Sequence, residues 1–376
     1  MAIPDALSKL IRREVCRPVA PAVRALADRL RAVYGDAAAA ILFYGSCLRA
    51  GDDRGGMVDL YLLVDSYRAA YPSRFLQRLN RLLPPNVFYL EVPHDGRTVR
   101  AKYAVLSLAD FERGASPRWF HSYIWGRFAQ PVAMVYARDR QIGERVSRAL
   151  ARAVVTFIRR ALPCTPSPFT AGELWFKGLS LSYRAELRAE RPEKLKGLVA
   201  RYAPYYEAVT AAALLAVDRP VTVGGYGDRG RYAASIPRRT RFLCRQSWRL
   251  RFFQGKLLSV LRLLKSAFTF VGGMDYILWK IERHSGVRVE LPPRLRRRPL
   301  AAACVLAWRL YRRGGFRCPG KRRPPGGAPR QHPRGERIMA LPALEIKTIA
   351  SSREIDRFVR FPWQIYQDDP YWVPPL

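Results

Sequence analysis

Two apolar runs of strand length lie close together early in the chain, and a loop with four glycines separates them. The runs cover residues 39–44 and 57–64. Short apolar runs bounded by turn-forming residues are typical of buried β-strands. The loop between them is too polar and too rich in glycine to bury a core. This segment therefore predicts two neighbouring strands with a glycine-rich connection.

Further strand and helix patterns surround this pair. Residues 86–92 and 98–106 predict a hairpin that turns at His94-Asp95-Gly96, and residues 131–136 predict another strand. Residues 8–33 have helical spacing with a break near Pro18 and Pro21, and residues 119–127 are predicted to be helical. Up to this point the pattern indicates a mixed sheet with a few covering helices.

The pattern becomes helical after Arg140. Apolar residues at helical spacing predict a helix over residues 142–162, helical structure over 173–217 and an amphipathic helix over 241–271. The proline-rich stretch 163–168 interrupts them. The predicted fold is α/β in the broad sense (α+β). It has a mixed-sheet domain over residues 1–140 and a helical, basic domain over residues 141–316.

The charge of the chain limits its partners. Its 376 residues include 66 Lys and Arg against 30 Asp and Glu, a formal charge of +36, while 49% of the residues are hydrophobic. That apolar content excludes a disordered polycation. A charge of this size predicts a polyanionic partner, which could be nucleic acid, an acidic membrane or a phosphorylated substrate.

The distribution of apolar and cysteine residues excludes other classes. The longest uncharged stretches, 37–48 and 161–172, have 12 residues, whereas a membrane-spanning helix needs about 20. The N-terminus has no apolar signal core. The six cysteines have no close pairs in sequence, which argues against a zinc site or a disulfide framework and favours a reducing cytoplasm. They are Cys16, Cys47, Cys164, Cys244, Cys304 and Cys318.

The segment around the first two strands could perform chemistry. Tyr44-Gly45-Ser46 ends the first strand, and Met57-Val58-Asp59-Leu60 enters the second. Nucleotidyltransferases of the polymerase-β type need this arrangement. The glycine lets the backbone approach a triphosphate, the serine hydroxyl binds phosphate oxygens, and an aspartate on the next strand holds Mg²⁺. The alternative is an ordinary strand, a polar turn and an aspartate at a strand end.

Two later motifs resemble a known family. Lys102-Tyr103-Ala104-Val105 is followed by the segment 119–132, which contains Tyr123-Ile124-Trp125-Gly126-Arg127. In order and spacing these blocks, together with the Gly-Ser and Met-x-Asp-Leu motifs, resemble the mitochondrial-type CDP-diacylglycerol synthases. Gln246-Ser247 and residues 255–280 resemble the C-terminal part of the family more loosely. About two-thirds of the chain is covered, and the departures from the pattern are Cys47, Ala104, Trp125 and Gln130.

The resemblance implies that CTP and phosphatidic acid give CDP-diacylglycerol and pyrophosphate. It implies Asp59 as the Mg²⁺ ligand and Tyr44, Gly45 and Ser46 as the triphosphate cradle, with Lys102 and Arg127 as catalytic phosphate contacts. A phosphate monoester is already largely dianionic at pH 7, so no general base is needed. The four histidines form no cluster: His94, His121, His284 and His332. A second metal-binding carboxylate is left open between Asp65, Glu91 and Asp95.

The basic segments predict contact with an anionic membrane. Residues 228–265 hold 11 Lys or Arg and one acid, and residues 288–323 hold 12 against one acid. Basic amphipathic helices with aromatic residues are typical of interfacial binding. We expect the helix around Leu257 to pack its apolar face on the catalytic domain, and residues 294–313 to contact the membrane. The expected location is peripheral, on the cytoplasmic side of the inner (cell) membrane, with no transmembrane helix.

The last sixty residues differ from the rest. Residues 317–336 consist mainly of Arg, Pro and Gly and predict a disordered linker. Residues 358–376 resemble the N-terminal segment of an acetyltransferase-like family, and Met339 could be the start of that protein. Residues 337–376 are therefore interpreted as a fragment of a second, fused protein.

Two rival functions use the same features. The first is a nucleotidyltransferase that modifies RNA or a small molecule. The second is an inactive protein that uses the fold and the charge to bind anionic lipid or nucleic acid. Nucleic acid is not the expected partner, because the interleaved aromatic residues of a base-stacking surface are not evident.

Overall fold

A computed structural model describes residues 3–50, 57–186, 190–217, 220–223 and 230–269. The predicted membrane-contact segment 294–313, the linker 317–336 and the fragment 337–376 lie outside the described residues.

A mixed five-stranded sheet forms the first part of the chain. Its strands are β1 (Ala38–Tyr44), β2 (Val58–Val64), β3 (Asn86–His94), β4 (Arg97–Ser107) and β5 (Ala133–Ala137). Their order is β3-β4-β2-β1-β5, and β2 and β4 are parallel while the other neighbours are antiparallel. The hairpin turn has positive φ at Asp95 and Gly96. The predicted mixed sheet and its five strands are confirmed.

Two helices precede the first strand of this sheet, and shorter helices connect its strands. They are α1 (Asp5–Val15), α2 (Pro21–Tyr34), α3 (Ser46–Ala50), α4 (Tyr67–Ala70), α5 (Arg74–Leu82), α6 (Leu108–Gly114) and α7 (Trp125–Phe128). Pro21 is the first residue of α2, where the missing N–H costs nothing. The predicted break between the first two helices is confirmed.

The prediction of a helix over residues 119–127 is wrong for most of its length. Only the last turn is helical, as α7. The carbonyl of Trp119 accepts the indole N–H of Trp125, and the indole of Trp119 donates to Nε2 of His121. A side chain thus occupies the Trp119 carbonyl, which a regular helix would use, and the segment folds into turns.

The second part of the chain is helical and packs on one face of the sheet. Its helices are α8 (Arg140–Ala161), α9 (Ala171–Arg184), α10 (Pro192–Arg201), α11 (Ala203–Leu214) and α12 (Arg238–Thr269). A 3₁₀ turn, Leu162–Cys164, follows α8. A small sheet that the sequence did not predict has the order β6-β8-β7, from β6 (Phe169–Thr170), β7 (Val221–Val223) and β8 (Arg231–Ala234).

The core beneath these helices is continuous with the sheet. Phe157, Trp175 and Tyr206 stack in series with ring centroids 4.5 and 4.3 Å apart, and the same cluster includes Leu42 and Tyr61 from the sheet. A second cluster on the other face of the sheet is covered by α2. The boundary predicted at residue 140 stays a prediction.

Helix α12 buries cations and exposes apolar side chains. Arg251 is fully buried: its Nε donates to the Phe120 carbonyl, and its guanidinium lies over the Trp248 ring. Lys265 is also buried and donates to the carbonyls of Leu83 and Pro85. Backbone carbonyls and aromatic faces compensate for the lost hydration of these charges.

The apolar face of α12 points to solvent. Phe253 is 69% exposed and Leu257 60% exposed. The expectation that this face packs on the catalytic domain is therefore wrong. The remaining exposed apolar side chains of the stripe are Phe242, Leu243, Leu250, Val260 and Leu261. No helix among the described residues is both long enough and apolar enough to cross a membrane.

Two helical glycines provide a matched test of the packing between α8 and α9. A Cβ at Gly178 would lie 2.4 Å from Cζ of the buried Phe157, whereas a Cβ at Gly197 in α10 would meet nothing within 4 Å. We expect Gly178→Ala to lower the free energy of unfolding by about 1–3 kcal/mol, because the core is overpacked. Gly197→Ala should raise it by up to about 1 kcal/mol through helix propensity. Urea denaturation measures the free energy of unfolding of both variants. A change of the same sign in the two variants would contradict this packing.

Candidate active site

The end of β1 lies directly against the aspartate of β2. Tyr44 pairs in register with Asp59. Gly45 follows with φ +91°, and a Cβ there would lie 2.6 Å from Oδ2 of Asp59. Only glycine tolerates both this backbone angle and this close approach. Ser46 comes next and begins α3, so the three residues of the predicted cradle and Asp59 are adjacent.

Lys102 joins this group from the other side. Strands β2 and β4 are parallel, with Asp59 opposite Lys102. The Nζ of Lys102 lies 3.4 Å from Oδ1 of Asp59, and the two side chains are 33% and 24% exposed. Farther along the same face, Tyr61 and Ala104 are buried in the core. The strand alternation that buries these two residues also aligns the carboxylate and the ammonium group at the margin of the core.

Arg127 lies behind Tyr44. One terminal nitrogen donates to Oε1 of Glu186 at 2.9 Å, and the other donates to the hydroxyl of Tyr61 at 3.3 Å. The guanidinium is 5.7 Å from the ring centroid of Tyr44 and 4.3 Å from that of Tyr123. Burial alone would lower the pKa of Arg127, but Tyr123 and Glu186 raise it well above its usual value. The side chain therefore carries a permanent positive charge beside the site.

Helix α12 adds a second cation that sequence reasoning did not assign to the site. Arg262 lies 4.1 Å from the ring centroid of Tyr123, and its Nε donates to the carbonyl of Pro84. Burial would raise the pKa of Tyr123, but the charges of Arg127 and Arg262 lower it below its usual value. The only feature of the sequence that pointed to a contact of Arg262 with the rest of the protein is its position off the apolar face of α12. A distant aromatic partner cannot be identified from spacing alone.

The three candidates for a second metal ligand are held elsewhere. Asp65 follows the far end of β2, six residues or about 20 Å from Asp59, and both of its oxygens accept hydrogen bonds from Arg138. Glu91 accepts from Arg100 on the outer hairpin. Asp95 lies in the hairpin turn, beside His94. Within the described ranges, no group of three or more His, Cys, Asp or Glu could hold a metal ion.

One carboxylate suits a magnesium ion that is shared with a nucleotide. Asp59 is partly exposed and is flanked by a glycine that leaves space beside its oxygens. Mg²⁺ commonly binds through one or two carboxylates together with substrate phosphates and waters. The residues present therefore fit an ion that arrives with a triphosphate.

The departures from the family pattern are all buried residues. Cys47 is buried, and its thiol donates to the carbonyl of Met57 across the base of the glycine-rich loop. Gln130 is buried and donates to the carbonyl of Gly126, and Trp125 is fully buried. His121 is also buried: burial first, and then Arg262, lowers its pKa to about 3, so its ring is neutral.

A strand, a glycine turn against an aspartate and flanking cations are the features expected of an enzyme of the nucleotidyltransferase class. The family model described as mitochondrial phosphatidate cytidylyltransferase matches residues 65–219. Over these residues the chain is similar to that family, which supports the resemblance carried by the Lys102 and Arg127 motifs. The match begins six residues after Asp59. No curated protein matches the chain.

Gly45 tests the close approach to Asp59. In Gly45→Ala the new Cβ must displace the carboxylate or the turn, and we expect a fall of about 10²-fold in CDP-diacylglycerol formation, the usual effect of a misplacement near 1 Å. Gly96→Ala is the matched control, because Gly96 also has positive φ but has no atom within 4 Å of an added Cβ. That variant should lose about 1 kcal/mol of stability and keep its turnover rate. Equal losses of activity in the two variants would contradict this geometry.

Proposed function

We propose that this enzyme transfers the cytidylyl group of CTP to phosphatidic acid at the site formed by Gly45, Asp59 and Lys102. The observation that carries the proposal is the placement of a partly exposed carboxylate between a glycine turn and an ammonium group. The family match supports the reaction class.

The reaction needs charge neutralisation more than proton transfer. A phosphate oxygen of phosphatidic acid attacks the α-phosphorus of CTP, one P–O bond forms, and the bond to pyrophosphate breaks. The nucleophile is already anionic near neutral pH, so no base has to remove a proton. The role of this chain's residues is to hold two anionic substrates together and stabilise the charge on the transferring group.

Each residue of the site has a distinct role in this proposal. Asp59 would hold Mg²⁺, and the ion would supply positive charge to the triphosphate and the pyrophosphate leaving group. Lys102 donates hydrogen bonds to phosphate oxygens, because its position beside Asp59 brings it to the same phosphates. The turn at Gly45 and the hydroxyl of Ser46 contact the triphosphate from the end of β1.

Arg127 and Tyr44 shape the same wall of the site. Glu186 and Tyr61 already occupy both terminal nitrogens of Arg127. Arg127 is therefore proposed to attract phosphate through its charge behind the Tyr44 ring. Burial first, and then the charge of Asp59, raises the pKa of Tyr44 well above its usual value. Its hydroxyl thus stays protonated and can donate to a phosphate.

We further propose that α12 docks the enzyme on an anionic membrane, on the cytoplasmic side of the cell membrane. The substrate is a lipid, and the exposed apolar stripe of α12 carries Phe253 and Leu257. Arg245 and Arg249, both exposed, lie beside the stripe. Apolar side chains that enter the lipid interface next to cations are typical of peripheral membrane helices.

Two carboxylates at opposite ends of β2 test the metal role. Asp59→Asn preserves the side-chain size and removes the charge, and we expect a loss of at least about 10²-fold in turnover with CTP, Mg²⁺ and phosphatidic acid vesicles. Asp65→Asn, whose carboxylate is held by Arg138, should stay within about threefold of the parent enzyme, because a surface ion pair contributes little stability. An active Asp59→Asn enzyme would overturn the assignment. Turnover with an RNA acceptor in place of the lipid would select the rival transferase.

Charged substitutions in the stripe test membrane docking. Phe253→Glu and Leu257→Glu should each lower binding to phosphatidic acid vesicles by about tenfold, because burial of such a side chain contributes about 1.5–3 kcal/mol. Val33→Glu is the control, since Val33 is 54% exposed on α2. Co-sedimentation with vesicles measures the binding, and circular dichroism verifies the fold. If all three substitutions lowered vesicle binding equally, or if none of them lowered it, this docking surface would be excluded.

A further inference from the structure

Two cysteines that are far apart in sequence meet at the packing interface of α12. Cys164 ends the 3₁₀ turn after α8, and Cys244 lies in the second turn of α12. They are 80 residues apart, and their sulfur atoms are 3.4 Å apart. Sequence spacing gave no sign of this pair.

The backbone around the two sulfurs is held by independent contacts. The carbonyl of Arg160, near the end of α8, accepts hydrogen bonds from the indole of Trp248 at 3.0 Å and from the thiol of Cys244 at 3.4 Å. Both partners of that carbonyl belong to α12. A disulfide requires an S–S distance of about 2.05 Å, so the sulfurs must approach by only about 1.4 Å. Side-chain rotation can supply a movement of this size.

The surroundings favour a reactive thiolate at Cys164. The close contact with Cys244, and then the charges of Lys177, Arg245 and Arg251, outweigh burial and lower the pKa of Cys164 to about 7. Both cysteines are partly exposed, so a small oxidant can reach them. Among the other described cysteines, Cys16 is exposed and Cys47 is buried.

We propose that Cys164 and Cys244 form a reversible disulfide when the protein meets a hydroperoxide. The Cys164 thiolate attacks one peroxide oxygen, the O–O bond breaks, and a sulfenic acid forms while hydroxide leaves. The Cys244 sulfur then attacks the sulfenic sulfur, the S–S bond forms, and the hydroxyl leaves as water. Two thiols and one hydrogen peroxide thus give one disulfide and two waters.

The bond ties the N-terminal half of α12 to the end of α8. The same helix carries Arg262 at the site and the exposed apolar stripe. The modification is independent of the proposed cytidylyl transfer, because neither sulfur contacts Asp59, Lys102 or Gly45 in the described residues. A reducing cytoplasm keeps the pair as thiols until an oxidant appears.

Peptide mapping tests the pair directly. The purified full-length chain is treated with hydrogen peroxide, alkylated without reduction, digested and analysed by mass spectrometry. The expected result is a cross-linked peptide joining Cys164 to Cys244, together with a fall in free thiols from six to four that dithiothreitol reverses. A Cys16→Ser protein should give the same cross-link, because Cys16 takes no part in it.

Single substitutions distinguish the pair from general oxidation. Cys164→Ser and Cys244→Ser should each abolish the cross-link and the reversible loss of two thiols. The proposal is overturned if the cross-link is absent at a peroxide concentration that already oxidises Cys16, or if Cys164 pairs with another cysteine. The cross-link in the parent protein is decisive even if a serine variant does not fold.

Discussion

The hydrogen-bonded register of β2 with its two neighbours is the constraint on which the site depends. Antiparallel pairing with β1 sets Asp59 against Tyr44 and the turn at Gly45, and parallel pairing with β4 sets it opposite Lys102. A slip of one residue on either side would turn Asp59 or its partner to the other face of the sheet. Buried neighbours such as Tyr61 prevent that slip, so the packing of the core and the alignment of the site have the same physical basis.

Helices outside the sheet complete the wall of the site with cations rather than further metal-binding carboxylates. Arg127 reaches Tyr44 from α7, and Arg262 reaches Tyr123 from α12. Glu186 accepts a hydrogen bond from Arg127, and the carbonyl of Pro84 accepts one from Arg262. Buried charge is tolerated because each group keeps hydrogen-bond partners and aromatic contacts. The result is a positively charged environment for two anionic substrates. The overall excess of basic residues did not show where in the fold this environment would lie.

Helix α12 shows where periodicity stops being informative. The spacing correctly predicted a long amphipathic helix, with Arg251 and Lys265 off its apolar face. It could not predict that the basic face would be the buried one. The reason is that Arg251 finds the carbonyl and the ring of Phe120, and Lys265 finds the carbonyls of Leu83 and Pro85. Those partners are available only after the sheet and α8 have packed.

The sequence by itself determined the strand order along the chain, the helical second half and the motif that brings a glycine and a serine before Asp59. These follow from local periodicity and turn chemistry, which act over a few residues. Only the tertiary structure decided that Asp65 pairs with Arg138 and not with the site at Asp59. It also decided which face of α12 is exposed and brought Cys164 into contact with Cys244. These outcomes depend on contacts between residues far apart in the chain, and a one-dimensional pattern carries no information about which distant groups satisfy one another.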